Sequence, residues 1–351
     1  MDRSRANNPL FGPNKFKLGV FSANCDGGLT MSLAPERWRA NWDDIVAMTR
    51  IADAAGLEFI LPVAKWRGFQ GKANIYGRSF ETLTHGAALG AVTRRIAIFS
   101  TVHVPLVTPA FGAKAIATID QARRYDHGLE WFRIWSRLLQ GGPEFDWDGE
   151  FFHLRRLQTD PVSVQRPWPA VMSAGFSPKG RDFAAQTADV LFTTMSELDQ
   201  APDLLADVHS HVARHNRRVD IYTMSHVVCR PTRREADDFY HYFAEEMADA
   251  DGQAYYRRQR GSVVKDDAGN EIRRPLVNRF MRASGKRYDG AYPGTFPLVG
   301  TPDDIVADMS QMSELGLAGT SVAFLDYLKE IPFFVQEVVP RLERLDLRLA
   351  V

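Results

Sequence analysis

Cysteine is scarce: only Cys25 and Cys229 occur in 351 residues, far apart and neither in a CxxC pair. That excludes a disulfide framework and a cysteine-built zinc site, so no metal is expected, and it fits a reducing cytoplasm. An excess of either charge is missing too. Lys and Arg number 43 against 43 Asp and Glu, so no net field draws the chain to nucleic acid or to an anionic membrane. No apolar run approaches the roughly 18 residues of a membrane span. Behind the arginines of Met1-Asp2-Arg3-Ser4-Arg5 stands no apolar core, so this N-terminus does not read as a signal peptide. What remains is 45% hydrophobic and 25% charged, with mean hydropathy −0.27. That composition and length suit two small globular domains or one large α/β barrel.

Periodicity favours the barrel. Apolar runs of strand type begin near residues 17, 58, 96, 170, 189, 221 and 320. Stretches of helical spacing follow them: Trp42 to Gly56, Phe80 to Val92, Pro109 to Ile119, Lys179 to Ala188, Leu198 to His215, Glu235 to Ala248 and Ile331 to Leu345. Thr301-Pro302-Asp303-Asp304 opens another helix, with Thr301 at the N-cap and proline in the first turn. Strand and helix in alternation argue for a parallel sheet with helices outside it. The pattern counts seven strands, whereas a closed (β/α)8 barrel has eight. The gap falls after Ile119, where the chain passes directly into a second helix over Arg123 to Trp135. Phe145 to Leu154 is expected to form a peripheral hairpin around Asp148-Gly149. The expected fold is therefore an α/β, TIM-like barrel lacking its fourth strand, in one domain over 1–351.

One segment leaves the rhythm. Residues 251–294 are polar, glycine-dotted and rich in arginine. A long irregular insertion of this kind is a functional lid or a solvated excursion, and composition leaves both open. Its excess of positive charge suits an anionic ligand.

The chemistry is expected where strands end. Leu61-Pro62-Val63-Ala64 closes an apolar run and breaks into Lys65-Trp66-Arg67-Gly68. A lysine there must reach solvent or a ligand, because burying its charge unpaired is costly. Trp66 and Phe69 are candidate pocket walls, with core packing the alternative. Asn24 and His103 end the first and third strands and point toward the same mouth, with a structural role for His103 equally open.

Lys65-Trp66-Arg67-Gly68-Phe69-Gln70-Gly71-Lys72, Phe80-Glu81, Ala117-Thr118-Ile119-Asp120, Arg124-Tyr125-Asp126 and Ala174-Gly175-Phe176-Ser177 together resemble the bacterial-luciferase-like flavin monooxygenases. The similarity spans roughly residues 16 to 345 and lies nearest the pyrimidine, alkanesulfonate and dimethylsulfone monooxygenase branch. It implies a barrel with a lid and reduced FMN as co-substrate with O2. It also implies a small organic substrate, a separate NAD(P)H-dependent flavin reductase and a homo-oligomer. By position it places FMN contacts on Ala64, Lys65, Arg124, Tyr125 and Ser177. Two further family contacts belong to a fourth-strand segment that this chain lacks. The resemblance leaves two alternatives: an F420-dependent oxidoreductase on the same barrel, and a non-catalytic relative that has lost flavin contacts. It names no catalytic base, since the flavin carries the oxidising chemistry.

Overall fold

A computed structural model describes residues 8–103, 106–119, 126–160, 162–175, 178–260, 263–265, 271–273 and 295–350. In chain order the elements begin with β1 (Lys17–Phe21), α1 (Trp42–Ala54), β2 (Phe59–Leu61), α2 (Thr82–Gly90) and β3 (Ala97–Ile98). Two helices follow in succession, α3 (Pro109–Ile119) and α4 (Asp126–Gln140), then the hairpin β4 (Phe145–Asp148) and β5 (His153–Leu157). The alternation resumes with β6 (Met172–Ser173), α5 (Pro178–Thr187), β7 (Val190–Phe192), α6 (Ala201–Val212), β8 (Asp220–Cys229) and α7 (Arg233–His241). A π turn over Tyr242–Glu246 leads to α8 (Ala250–Arg260) and a short antiparallel pair, β9 (Val263–Lys265) and β10 (Glu271–Arg273). The chain closes with β11 (Phe296–Gly300), α9 (Pro302–Glu314), β12 (Gly319–Ala323), α10 (Tyr327–Glu337) and α11 (Val339–Arg344).

The sheet is parallel throughout and has eight strands, in the order β3-β2-β1-β12-β8-β7-β6, with β11 on β8. Helices cover it, as the alternation predicts. Among the described residues β3 pairs with β2 alone, β6 with β7 alone and β11 with β8 alone. The sequence count of seven strands misses β11. Pro297 inside Phe296–Gly300 lowers its strand signal, yet proline is tolerated where a strand pairs on one side, and β8 is the partner found for β11. β3 is also shorter than its apolar run. Beyond Phe99, Thr101 exchanges hydrogen bonds with the Thr82 hydroxyl instead of with another strand (2.6 and 3.1 Å).

Local chemistry explains the boundaries. Gly56 takes a left-handed φ of 72°, and the Gly56 and Leu57 N–H groups return to Asp53 and Ala52 carbonyls to end α1. The Asp53 carboxylate then accepts the Arg94, Arg95 and Ile96 N–H groups at 2.8–2.9 Å, aligning the start of β3. At α9, Thr301 and Asp304 form a reciprocal capping box. Inside the sheet Phe59 stacks on Tyr222 (5.6 Å between centroids) and meets Phe99 edge-on, while Phe21 lies 5.3 Å from Phe192. Position 19 is glycine because a Cβ there would stand 2.3 Å from the Phe59 ring.

The foot of the sheet carries a buried charge pair. Glu58 and Arg348, each 1% exposed, meet at 2.7 Å. Glu58 also accepts the Leu18 N–H (2.7 Å) and the Asn14 amide (2.5 Å), and Arg348 donates to the carbonyls of Gly56 and Phe16. Removing one partner of such a pair strands the other charge in the core. Arg348→Met is expected to cost about 3–5 kcal/mol, and Glu58→Gln with Arg348→Met together to cost less than Arg348→Met alone. Urea unfolding of the three variants checks this; equal midpoints for wild type and Arg348→Met would refute it.

Candidate functional site

The site is assembled where β1, β2 and β3 release the chain. Asn24, buried just past β1, spends its side-chain amide on main chain. Its Oδ1 accepts the Val63 N–H (2.9 Å), and its Nδ2 donates to the carbonyls of Val63 (2.9 Å) and Phe80 (3.2 Å). The two ends of the post-β2 loop are thus fixed on one side chain. Ala64 and Lys65 follow half-exposed, and the Ser79 hydroxyl donates to the Lys65 carbonyl at 2.8 Å.

Within that loop the chain turns back sharply. Gly68 has no room for a Cβ, which would lie 2.3 Å from Asn74 Oδ1 and 2.7 Å from the Gly77 nitrogen. Gln70, Gly71, Asn74 and Tyr76 all take left-handed φ values. This folding buries Phe69 between Tyr76 (5.3 Å) and Tyr256 of α8, which meets it edge-on at 5.2 Å. The Lys65 ammonium sits 3.8 Å from the Phe69 ring centre, a cation–π contact that places the charge at the mouth of the sheet. Trp66 is 79% exposed, and its ring lies 6.1 Å from that of His103 beyond β3. Ala64, Lys65, Trp66, Phe69 and His103 are therefore brought to one rim, with Asn24 beneath it. Arg124, Tyr125 and Ser177 lie outside the described residues. α5 opens at Pro178, directly after Ser177, and Gly175 packs so closely that a Cβ would stand 2.2 Å from the Gly180 carbonyl oxygen.

Sequence reasoning misses the residue that roots the insertion. Asp249, 2% exposed, accepts N–H groups from Lys72 (3.2 Å), Ala73 (2.8 Å) and Gly252 (3.2 Å). An aspartate just ahead of a helix start is an ordinary N-cap signal, but its reach to a loop 176 residues earlier leaves no local trace. α8 itself runs into a stretch that composition reads as irregular. Its cap and the burial of Tyr256 stabilise helix where polarity alone does not.

Burial sets the protonation of several enclosed groups. His226 is enclosed, with Nε2 2.7 Å from the Thr30 hydroxyl and its ring stacked 5.3 Å from Phe243; desolvation pushes its pKa down to about 3. His85, packed edge-on to Trp42, is pushed down to about 4 by the same cause. Both imidazoles are neutral near pH 7. Burial pushes the Cys25 thiol up and the Cys229 thiol up to about 12, so neither supplies a thiolate nucleophile. No cluster of His, Cys, Asp or Glu able to hold a metal occurs among the described residues, and none of their helices is long and apolar enough to cross a membrane.

Two stretches of the chain, residues 16–123 and 120–319, match the family model described as luciferase-like monooxygenase. An FMNH(2)-dependent dimethylsulfone monooxygenase of Pseudomonas putida is 23% identical over 368 positions, covering 94% of this chain and 96% of that protein. Pyrimidine monooxygenase RutA of Acinetobacter baylyi is 25% identical over 362 positions, covering 92% and 94%. Among solved structures, riboflavin lyase RcaE, described with modified FMN and the substrate riboflavin, superposes with a TM-score of 0.80. Its identity is 16%, over 96% of this chain and 93% of that one, so the likeness is of fold.

The neutral histidines predict a pH dependence. Their pKa values in the fold lie below the unfolded value of about 6.5, so the unfolded chain binds more protons and stability falls as pH drops through that range. Asp308, pushed up to about 6 by burial, works in the opposite direction. Comparing variants isolates one histidine. Between pH 7 and 5, His85→Leu is expected to lose about 2 kcal/mol less than wild type, measured as the change in urea-unfolding free energy.

Proposed function

The chain belongs to the luciferase-like monooxygenase family, and on that footing we propose that it is a two-component, flavin-dependent monooxygenase. Reduced FMN is its co-substrate, O2 its oxidant, and a small organic molecule, an organosulfur compound or an N-heterocycle, its substrate. The supporting observation is the family match along residues 16–319, with FMNH(2)-dependent relatives aligned over nearly their whole length.

The residues fit the cofactor. Lys65 offers a cation beyond the end of β2, and α5, a helix of ten residues against whose first turn Gly175 packs closely, offers an N-terminus suited to phosphate. Lys65 and the Ala64 main chain are assigned to FMN, together with Arg124, Tyr125 and Ser177. Trp66, Phe69 and His103 line the substrate side, and Asn24 holds the two loop ends in place. When bound, reduced FMN supplies the electrons that activate O2, one oxygen atom passing to substrate and the other to water. The protein's own part is to orient and to exclude water: the Lys65 charge is held over Phe69. A separate NAD(P)H-dependent reductase supplies the reduced flavin.

We read the chain as a barrel without its fourth strand. α3 and α4 follow one another with no strand described between them, and the family match breaks at residues 120–123. The alignment to the Pseudomonas putida enzyme, at 368 positions, is longer than this chain of 351 residues. Two hydrogen bonds to flavin lost with that strand, at about 0.5–1.5 kcal/mol each, weaken FMN roughly ten- to hundred-fold. Among the described residues β3 and β6 each pair on one side alone, which favours association with a second copy. The gap after α3 is also the observation behind a non-catalytic reading.

One reconstitution separates these readings. Purified protein, FMN, NADH, a flavin reductase and 18O2 are combined with a panel of sulfones, sulfonates and pyrimidines. Label from 18O2 is expected in one product. No FMN binding and no product across the panel would refute the enzyme. Lys65→Ala is expected to weaken FMN at least ten-fold with an unchanged circular dichroism spectrum.

A further inference from the structure

The insertion is rooted at a three-way junction. Ahead of it, Met247 to Asp249 runs beside the chain after β1. The Leu33 N–H donates to the Met247 carbonyl (2.6 Å), the Asp249 N–H donates to Met31 (2.9 Å), and Ser32 bridges Ala248. The Asp249 carboxylate then turns to the chain after β2, where it accepts the Lys72 and Ala73 N–H groups, and it caps α8 through Gly252. Space at this junction is exhausted. A Cβ on Gly71 would stand 2.4 Å from both Asp249 Oδ2 and the Gly252 nitrogen, and Gly71 has a φ of 73° that side chains rarely adopt.

We propose that Asp249 is a positioning residue that fixes α8 to the post-β2 loop and thereby sets where Lys65 stands at the cofactor mouth. Two connections carry the effect. The carboxylate holds Lys72 and Ala73, the far limb of the loop. Tyr256, two turns along the helix that Asp249 caps, packs perpendicular to Phe69, and the Phe69 ring holds the Lys65 ammonium. α8 displaced by a loosened root would carry Tyr256 with it and release Phe69. A carboxylate is required because three N–H donors converge on it from different segments. An asparagine presents one carbonyl oxygen and turns its NH2 toward at least one of those donors. The role for Lys65 rests on the flavin reading; the coupling of the two segments does not.

The test pairs Asp249→Asn with Gly71→Ala, which attacks the same contact from the loop, and uses two readouts on the full chain. Hydrogen exchange by mass spectrometry is expected to quicken in residues 68–76 and 250–256 together, with β8 unchanged. Dissociation constants for reduced FMN, taken anaerobically well below the unfolding temperature, are expected to rise about ten-fold in both variants, as loss of one or two charge-assisted hydrogen bonds implies. A lower unfolding temperature with wild-type exchange in 68–76, or with wild-type FMN affinity, would reduce Asp249 to a helix cap and overturn the proposal. If Asp249→Asn does not fold, Gly71→Ala decides alone. If wild type binds no FMN, the flavin reading fails, and joint or separate exchange of the two segments still decides the coupling.

Discussion

A guanidinium and a carboxylate, both stripped of water, hold the foot of this sheet. Arg348 comes from the last residues of the chain, and Glu58 from the turn into β2. Through Leu18, Gly56 and Phe16 their hydrogen bonds reach both sides of the first two strands. Desolvating two charges is costly, and their attraction offsets that cost only where geometry and further hydrogen bonds are good, as they are here. With the strands aligned at their starts, the opposite ends are free to diverge into loops. The division between a fixed foot and a variable mouth lets one architecture serve different chemistries.

What sequence shows of this arrangement follows from physical range. Parallel strands covered on both faces read as continuous apolar runs, so β1, β2, β7, β8 and β12 stand out. Caps are local and are equally visible, as Thr301 and Asp304 demonstrate. Pro297 conceals β11, whose existence depends on a partner strand about seventy residues earlier in the chain. Lys65 is legible because a charge closing an apolar run is anomalous. Asp249 is not, because its meaning lies in donors from Lys72 and Ala73. The cofactor roles of Arg124, Tyr125 and Ser177 come from resemblance alone.

Among the described residues both thiols are held protonated, and the enclosed His226 and His85 neutral, all through desolvation. That pattern suits a protein whose cofactor brings the reactivity and whose side chains supply shape, orientation and dryness. A cation resting on an aromatic face, itself wedged by a second aromatic, places charge without burying it unpaired.

The insertion leaves the barrel at a locked root, Asp249, and returns to it through β11, zipped onto β8 over five residues. With both margins held by main-chain hydrogen bonds, changes of length or charge between them are expected to leave the register of β8 and β11 in place, whereas a change at Tyr256 is carried to Phe69.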